Sequence, residues 1–166
     1  MPLYSSNEET VLTGTAVSPG LVFAPVHVIG RGMMAPDVYE IKKHYVANEI
    51  ERFKAAVETT KHQLSDIQKK IEDISGEQEA LIFEAHLMIL QDKSLHVKVH
   101  KGIETRLQNA EFVYYAVVQT YTEAIRRMND PYLSERAIDI EDVAQRVLRN
   151  FESAEPEQKA EETNPD

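Results

Sequence analysis

A long amphipathic helix is the clearest element that the hydrophobic pattern predicts. From Val46 to Ile74, apolar side chains, with Thr60 among them, recur at alternating steps of four and three residues. This period places them on one narrow stripe of a helix, and such stripes pack against other helices at shallow angles. Ser75-Gly76 interrupts the pattern. We therefore predict one helix over 46–74 that packs through its stripe.

Shorter helices are predicted after it, each opened by a residue that can cap a helix. Ser75 and Gln78 have the spacing of a capping box, which predicts a helix that ends near Leu90. Asp92 and Asn109 are good caps for two further helices, which end near Leu107 and Met128. Asp130-Pro131 combines a capping carboxylate with proline at the first helical position and predicts a last helix that ends near Phe151.

The two ends of the chain follow other patterns. From Val22 to Val28 every second residue is a small apolar one, as in a strand with one buried face. Glu152–Asp166 contains six acids, two prolines and no aromatic residue, so it is predicted to be disordered. The predicted fold class is mainly α: a helical bundle with a long helical hairpin, preceded by a short β segment.

Composition excludes several classes of function. The net charge is −10, with 28 acidic and 18 basic residues, so the chain repels the phosphate backbone of a nucleic acid and favours a basic protein partner. The absence of cysteine excludes disulfides, thiolate metal sites and thiol nucleophiles. The first residues lack the apolar run of a signal peptide, and no stretch is long and apolar enough for a membrane span. We expect a cytoplasmic protein that has no membrane partner.

Few residues have the spacing of a catalytic or metal site. The sequence lacks the glycine-rich phosphate loop and the serine nucleophile elbow. His96, His100 and Glu104 recur every four residues and can offer one helix face to a metal. Because the glutamate of the H-E-x-x-H motif is missing, a solvated polar stripe is the favoured interpretation, and we predict no metal site.

The segment Ile71–Asp92 combines acidic and apolar residues in an unusual way. It has six acids and neither lysine nor arginine, and its stretch Ala80–Leu90 is too apolar for a helix with a single buried stripe. An apolar patch rimmed by acids is typical of a docking surface for a basic partner. Burial of a central helix on several sides explains the same composition equally well.

Three segments resemble enzyme I of the bacterial sugar phosphotransferase system, a phosphoenolpyruvate–protein phosphotransferase. They are Gly14–Ala24, Ile82–Asp92 and Asp130–Asn150, and they occur in the order and at about the spacing of that family. The resemblance implies an enzyme that takes a phosphoryl group from phosphoenolpyruvate onto a histidine and passes it to the phosphocarrier protein HPr. In that family a helical subdomain docks HPr, an α/β subdomain carries the phosphohistidine, and a separate barrel binds phosphoenolpyruvate and Mg²⁺.

The resemblance also implies how this chain is divided. Residues 1–32 correspond to the first strand or strands of the phosphohistidine subdomain, residues 33–151 to the helical HPr-binding domain, and residues 152–166 to a disordered acidic tail. None of the six histidines lies in a glycine-rich Thr-Ser-His motif. We therefore expect a docking fragment that has no catalytic residue and no cofactor of its own, is inactive alone, and has HPr or a relative and the rest of the phosphotransferase chain as partners.

The resemblance implies a set of HPr-contacting positions. Gln78, Ser94 and Glu141 depart from the charges that better-known members carry there, and His86 is implied to be a docking residue and not the phosphoacceptor. The alternative function is that of a non-catalytic adaptor that pairs with another helix through the 46–74 stripe. The implied HPr-binding residues are Glu77, Leu81, Glu84, His86, Met88, Ile89, Leu95 and Arg136.

Overall fold

The computed structural model describes residues 11, 13–15, 19–25, 33–128 and 130–151, without the side chains of 131–133 and 135. The chain divides into two units, Met1–Gly30 and Arg31–Asp166. The described residues of the first unit form neither helix nor strand. The strand predicted between Val22 and Val28 is thus absent over 22–25, whose backbone pairs with no described strand. Residues 26–28 of this prediction lie outside the described residues. The predicted disordered tail, 152–166, also lies outside them.

The second unit is helical, which confirms the predicted class. A short 3₁₀ turn, Lys43–Tyr45, precedes the first helix. The described helices are α1 (Val46–Ser75), α2 (Glu77–Leu90), α3 (Lys93–Arg106), α4 (Ala110–Arg127) and α5 (Pro131–Phe151). None of these described helices is long and apolar enough to cross a lipid bilayer.

Of the predicted helix caps, the one at Asp92 is present in the structure and the one at Ser75 is not. The Asp92 carboxylate caps α3 as predicted, accepting hydrogen bonds from the backbone amides of Ser94 and Leu95 at 2.7 and 3.1 Å. These bonds, that of Leu95 foremost, lower the pKa of the carboxyl. The capping box at Ser75 is wrong: α1 continues through Ser75, whose helical backbone cannot also serve as an extended N-cap, and Gly76 precedes α2 without any side-chain cap.

The stripe on α1 forms the centre of the core, as the pattern predicts. Phe53 and Leu64 are 0% and 1% exposed and belong to one apolar cluster with residues of α3, α4 and α5. Only the C-terminal end of the stripe is open, since Ile74 is 80% exposed. The stripe is therefore covered within the chain itself.

A buried ion-pair network ties the start of α1 to the start of α4. The Arg52 guanidinium lies 2.7 Å from the Glu49 carboxylate and 2.8 Å from that of Glu111. Glu49 also accepts the backbone N–H of Ala110, the first residue of α4, at 2.7 Å. Burial opposes the charge on Arg52, but the hydrogen bonds to Glu111 and Glu49 outweigh it and raise its pKa. The network fixes the bundle end opposite the α1–α2 turn.

Candidate docking surface on helix α2

A glycine turn sets α2 against α1. Gly76 has φ 107° and ψ 173°, a region of backbone space that residues with a side chain rarely occupy. Its N–H donates to the Glu72 carbonyl at 3.1 Å and closes α1 before the chain turns back. As a result α2 packs on α1 and on α5, with Leu64 of α1 beside Phe83 of α2.

One face of α2 belongs to the core. Ala80 and Leu90 are 3% and 2% exposed, and Phe83 and Leu87 pack partly buried against the core cluster. These four positions recur at steps of three and four residues, which is one stripe of a helix. The remaining apolar residues of α2 lie on other faces, although Ile89 also packs partly against the core cluster.

The other apolar side chains form an exposed strip that we call the α2 ridge: Leu81, Ile82, Ala85, Met88 and Ile89. Met88 is 70% exposed, Leu81 51% and Ile82 50%, while Ala85 and Ile89 are half-buried. Steps of three and four residues make them neighbours on the helix surface. The sequence of this segment allowed either a helix buried on several sides or an apolar patch open to solvent. The first interpretation is wrong, and the exposed side chains agree with the second.

Acidic side chains are exposed on α2 and at the end of α1. Glu77 and Glu84 are exposed on α2 itself, and Glu72 and Asp73 are exposed in the last turn of α1. Carboxylates at a helix C-terminus oppose the helix dipole, by roughly 0.3–1 kcal/mol each. Glu72 and Asp73 therefore lower the stability of α1. Residues that lower stability in this way are expected where charge contributes to binding more than to folding. Their field favours a basic partner.

His86 lies at the edge of the α2 ridge that faces α5. Its ring is half-buried and meets the Phe83 ring edge to face, with the centroids 5.9 Å apart. The Nε2 atom is buried and has no hydrogen-bond partner among the described residues. It lines a cleft whose other wall is α5 and which includes Gln145, Arg146 and Arg149. Sequence reasoning did not identify the cleft, although Arg146 and Arg149 lie one helical turn apart.

Two of the expected contact residues differ from the others. Leu95 is only 8% exposed and belongs to the core cluster, because it lies on the same face of α3 as the buried Val99 and Ile103. It can support the surface from beneath but offers little area to a partner. Arg136 is exposed on the first turns of α5, and its guanidinium lies 3.1 Å from the Asp139 carboxylate.

The three departures from the family pattern also have defined surroundings. Gln78 is exposed near the start of α2. The Ser94 hydroxyl lies 2.8 Å from the Tyr121 hydroxyl, and the Glu141 carboxylate accepts a hydrogen bond from Arg126 at 2.8 Å. Ser94 and Glu141 therefore make contacts within the bundle.

The histidine pair on α3 packs inward. The His96 Nε2 atom lies 2.8 Å from the Leu90 carbonyl oxygen, and both His96 and His100 meet the Phe53 ring edge to face. The interpretation as a solvated stripe is therefore wrong, and burial lowers the pKa of His100. Within the described ranges no three histidine, aspartate or glutamate side chains are grouped as metal ligands.

Comparison with known proteins identifies the family that this chain resembles. A profile described as "PEP-utilising enzyme, N-terminal" matches residues 13–136. The phosphoenolpyruvate–protein phosphotransferase of Listeria innocua is 32% identical over 140 residues, 84% of this chain and 24% of that protein. That of Haemophilus influenzae is 29% identical over 141 residues, 85% of this chain and 24% of that protein. This chain spans about a quarter of the length of these relatives.

Two solved structures share the helical architecture. The solution structure titled Enzyme I (nEIt) has a TM-score of 0.67 and 34% identity, with 70% of this chain and 47% of that chain covered. A structure titled N-terminal domain of Enzyme 1 – Nitrogen has a TM-score of 0.62, 23% identity and coverage of 75% and 60%, and it shows the shared fold alone. The resemblance seen in the sequence is confirmed, and the chain belongs to the family of PEP-utilising enzymes defined by this N-terminal region.

Proposed function

We propose that this chain is the docking part of a phosphoenolpyruvate–protein phosphotransferase and that it binds the phosphocarrier HPr, or a relative, on the α2 ridge. Binding there positions the carrier to receive a phosphoryl group from the phosphohistidine of the family enzyme. The observation that supports the proposal is the exposure of Met88, Leu81 and Ile82 on one helix with acids beside them. Docked, these side chains lose contact with water, which drives association.

The chemistry of the α2 ridge suits a transient complex. Methionine is flexible and polarizable, so Met88 can fit partners of slightly different shape. Glu77 and Glu84 attract a basic carrier from a distance and raise the rate of encounter more than the final affinity. A carrier that must leave after each transfer needs this combination of fast arrival and moderate affinity.

The role proposed here is binding without chemistry of its own. His86 is proposed as a contact residue and not as the phosphoacceptor, since its imidazole packs on Phe83 and it does not lie in a glycine-rich Thr-Ser-His motif. Phosphoenolpyruvate and Mg²⁺ are proposed to bind elsewhere in the family enzyme, and the cytoplasm is its proposed compartment. The chain by itself is then expected to lack phosphotransferase activity.

The adaptor function finds less support in the fold. It needs the 46–74 stripe to be free for another helix, but Phe53, Val57 and Leu64 are 0–7% exposed inside the bundle. Freeing that stripe for another helix would require the hydrophobic core of the bundle to open. The docking function needs no rearrangement, because the α2 ridge is already open.

The proposal is tested by adding unlabelled HPr to the ¹⁵N-labelled chain and following its amide signals by NMR. Signals of Glu84, His86 and Met88 should move progressively, while those of the buried α4 residues Val117 and Val118 stay in place. Carriers of the sugar-type and nitrogen-type systems are titrated in parallel to find which one is recognised. A spectrum that does not change with millimolar amounts of either carrier would remove the proposal.

A further inference from the structure

A cleft beside the α2 ridge has the features of a small binding site. It lies between α1, α2 and α5, has a volume of about 220 Å³, and is floored by apolar side chains of Leu64, Phe83 and Val143. That volume holds several water molecules or one small anion that keeps part of its hydration. Its polar lining is His86, Asp142, Gln145, Arg146 and Arg149.

Two polar atoms in this lining are buried without a partner among the described residues. They are Nε2 of His86 and Oε1 of Gln145. A buried polar atom that makes no hydrogen bond destabilises a protein, so such atoms normally have a partner. The Gln145 amide can offer either an acceptor or, after rotation about its last bond, a donor. The residues around the cleft therefore carry two hydrogen-bonding atoms that no described side chain satisfies.

Positive charge dominates the same lining. Neither Arg146 nor Arg149 makes an ion pair or side-chain hydrogen bond with a described residue. Among the described residues of the lining, Asp142 is the one carboxylate, against two guanidinium groups. In a chain of net charge −10, this is a local reversal of sign.

The arrangement of donors selects among anions. Arg146 and Arg149 lie one turn apart on α5 and both line the cleft, so two separate guanidinium groups are available to an anion there. One guanidinium group can satisfy both oxygens of a planar carboxylate. A tetrahedral anion with several oxygens can accept hydrogen bonds from both guanidinium groups and from a further donor. The geometry points to a phosphate dianion, free or as the monoester of a small metabolite, held by Arg146, Arg149 and His86.

This inference does not rest on the proposed docking function, since it concerns the chain and a small anion only. The site does adjoin the α2 ridge through His86. An anion bound there places negative charge at the edge of the docking surface and adds to the field of its acids. Loss of phosphate binding leaves HPr docking to be tested separately, and the reverse also holds.

The experiment is an NMR titration of the ¹⁵N-labelled chain with inorganic phosphate at constant ionic strength, with chloride as the balancing anion. Amide signals of Gln145 and Arg149 and the imidazole nitrogen signals of His86 should shift and saturate. The variant in which Arg146→Gln and Arg149→Gln are combined should bind about tenfold more weakly or worse, because two charge-assisted contacts are lost. A parallel titration with glycerol phosphate distinguishes the sources: tighter binding than phosphate indicates a phosphorylated metabolite, and equal or weaker binding indicates free phosphate.

The matched control is Arg127→Gln, an exposed arginine on α4 that pairs with Glu123. It removes one arginine charge away from the cleft and should leave phosphate binding unchanged. If the double variant unfolds, Arg149→Lys keeps the charge but removes the fork, and it should still weaken binding severalfold. Shifts that never saturate, or that persist equally in the cleft variants, overturn the inference and leave the cleft as a site for water only.

Discussion

Truncation of Met88 to alanine removes the most exposed apolar side chain of the α2 ridge. Full burial of a methionine side chain is worth roughly 1.5–3 kcal/mol. Because Met88 is 70% exposed in the free chain, docking can recover at most about that share, or roughly 1–2 kcal/mol. Met88→Ala should therefore raise the Kd for HPr about sixfold to thirtyfold. The stability of the free chain should change by less than about 0.5 kcal/mol, since the side chain has few contacts to lose.

Isothermal titration calorimetry with HPr measures the change, and thermal unfolding checks that the variant folds. Met34→Ala is the matched control, because Met34 is 81% exposed and lies outside α2, in the segment that leads to the 3₁₀ turn before α1. It should bind HPr as the unaltered chain does. The predicted contribution of Met88 to HPr binding is refuted if Met88→Ala binds with unchanged Kd, or if Met34→Ala loses as much affinity.

Three further changes test the electrostatics of docking and the packing of the bundle. The double variant of Glu77→Gln and Glu84→Gln should slow association with HPr severalfold at low salt in stopped-flow measurements, and the difference should vanish at high salt; a change confined to dissociation contradicts this. Gly76→Ala should lower the free energy of unfolding in urea by about 1–3 kcal/mol, because a φ of 107° is strained for any side chain; a neutral result means that the turn relaxes. Glu49→Ala should lower the free energy of unfolding by about 1–3 kcal/mol, since it leaves the buried N–H of Ala110 without an acceptor and Arg52 with Glu111 alone; a loss under about 0.5 kcal/mol argues that water replaces the carboxylate.

The helices could be predicted because their signals are local. The stripe from Val46 to Ile74 and the Asp92 cap depend on residues within one or two turns, and the structure follows both. The capping box at Ser75 failed for an equally local reason: two helices compete for that residue, and the backbone of α1 takes it. Sequence spacing cannot decide such a competition, because both outcomes use the same residue types.

The surface was less predictable because exposure depends on contacts between distant residues. Periodicity did not reveal which apolar residues of α2 face solvent, since Met88 and Leu87 look alike in the sequence. Leu95 was expected at the surface and is buried, because it shares the core-facing side of α3 with Val99 and Ile103. The pairing of Arg52 with Glu111 joins residues 59 positions apart, and no short-range pattern predicts it.

Cross-saturation NMR tests the central claim most directly, because it reports contact and not an indirect shift. Protons of unlabelled HPr are irradiated, and the loss of signal is read at methyl groups of the deuterated chain. Methyls of Leu81, Ile82 and Met88 should lose the most intensity, while the buried methyls of Val99 and Val113 keep theirs. Equal loss at all methyls, or loss centred on another helix, would contradict docking on the α2 ridge.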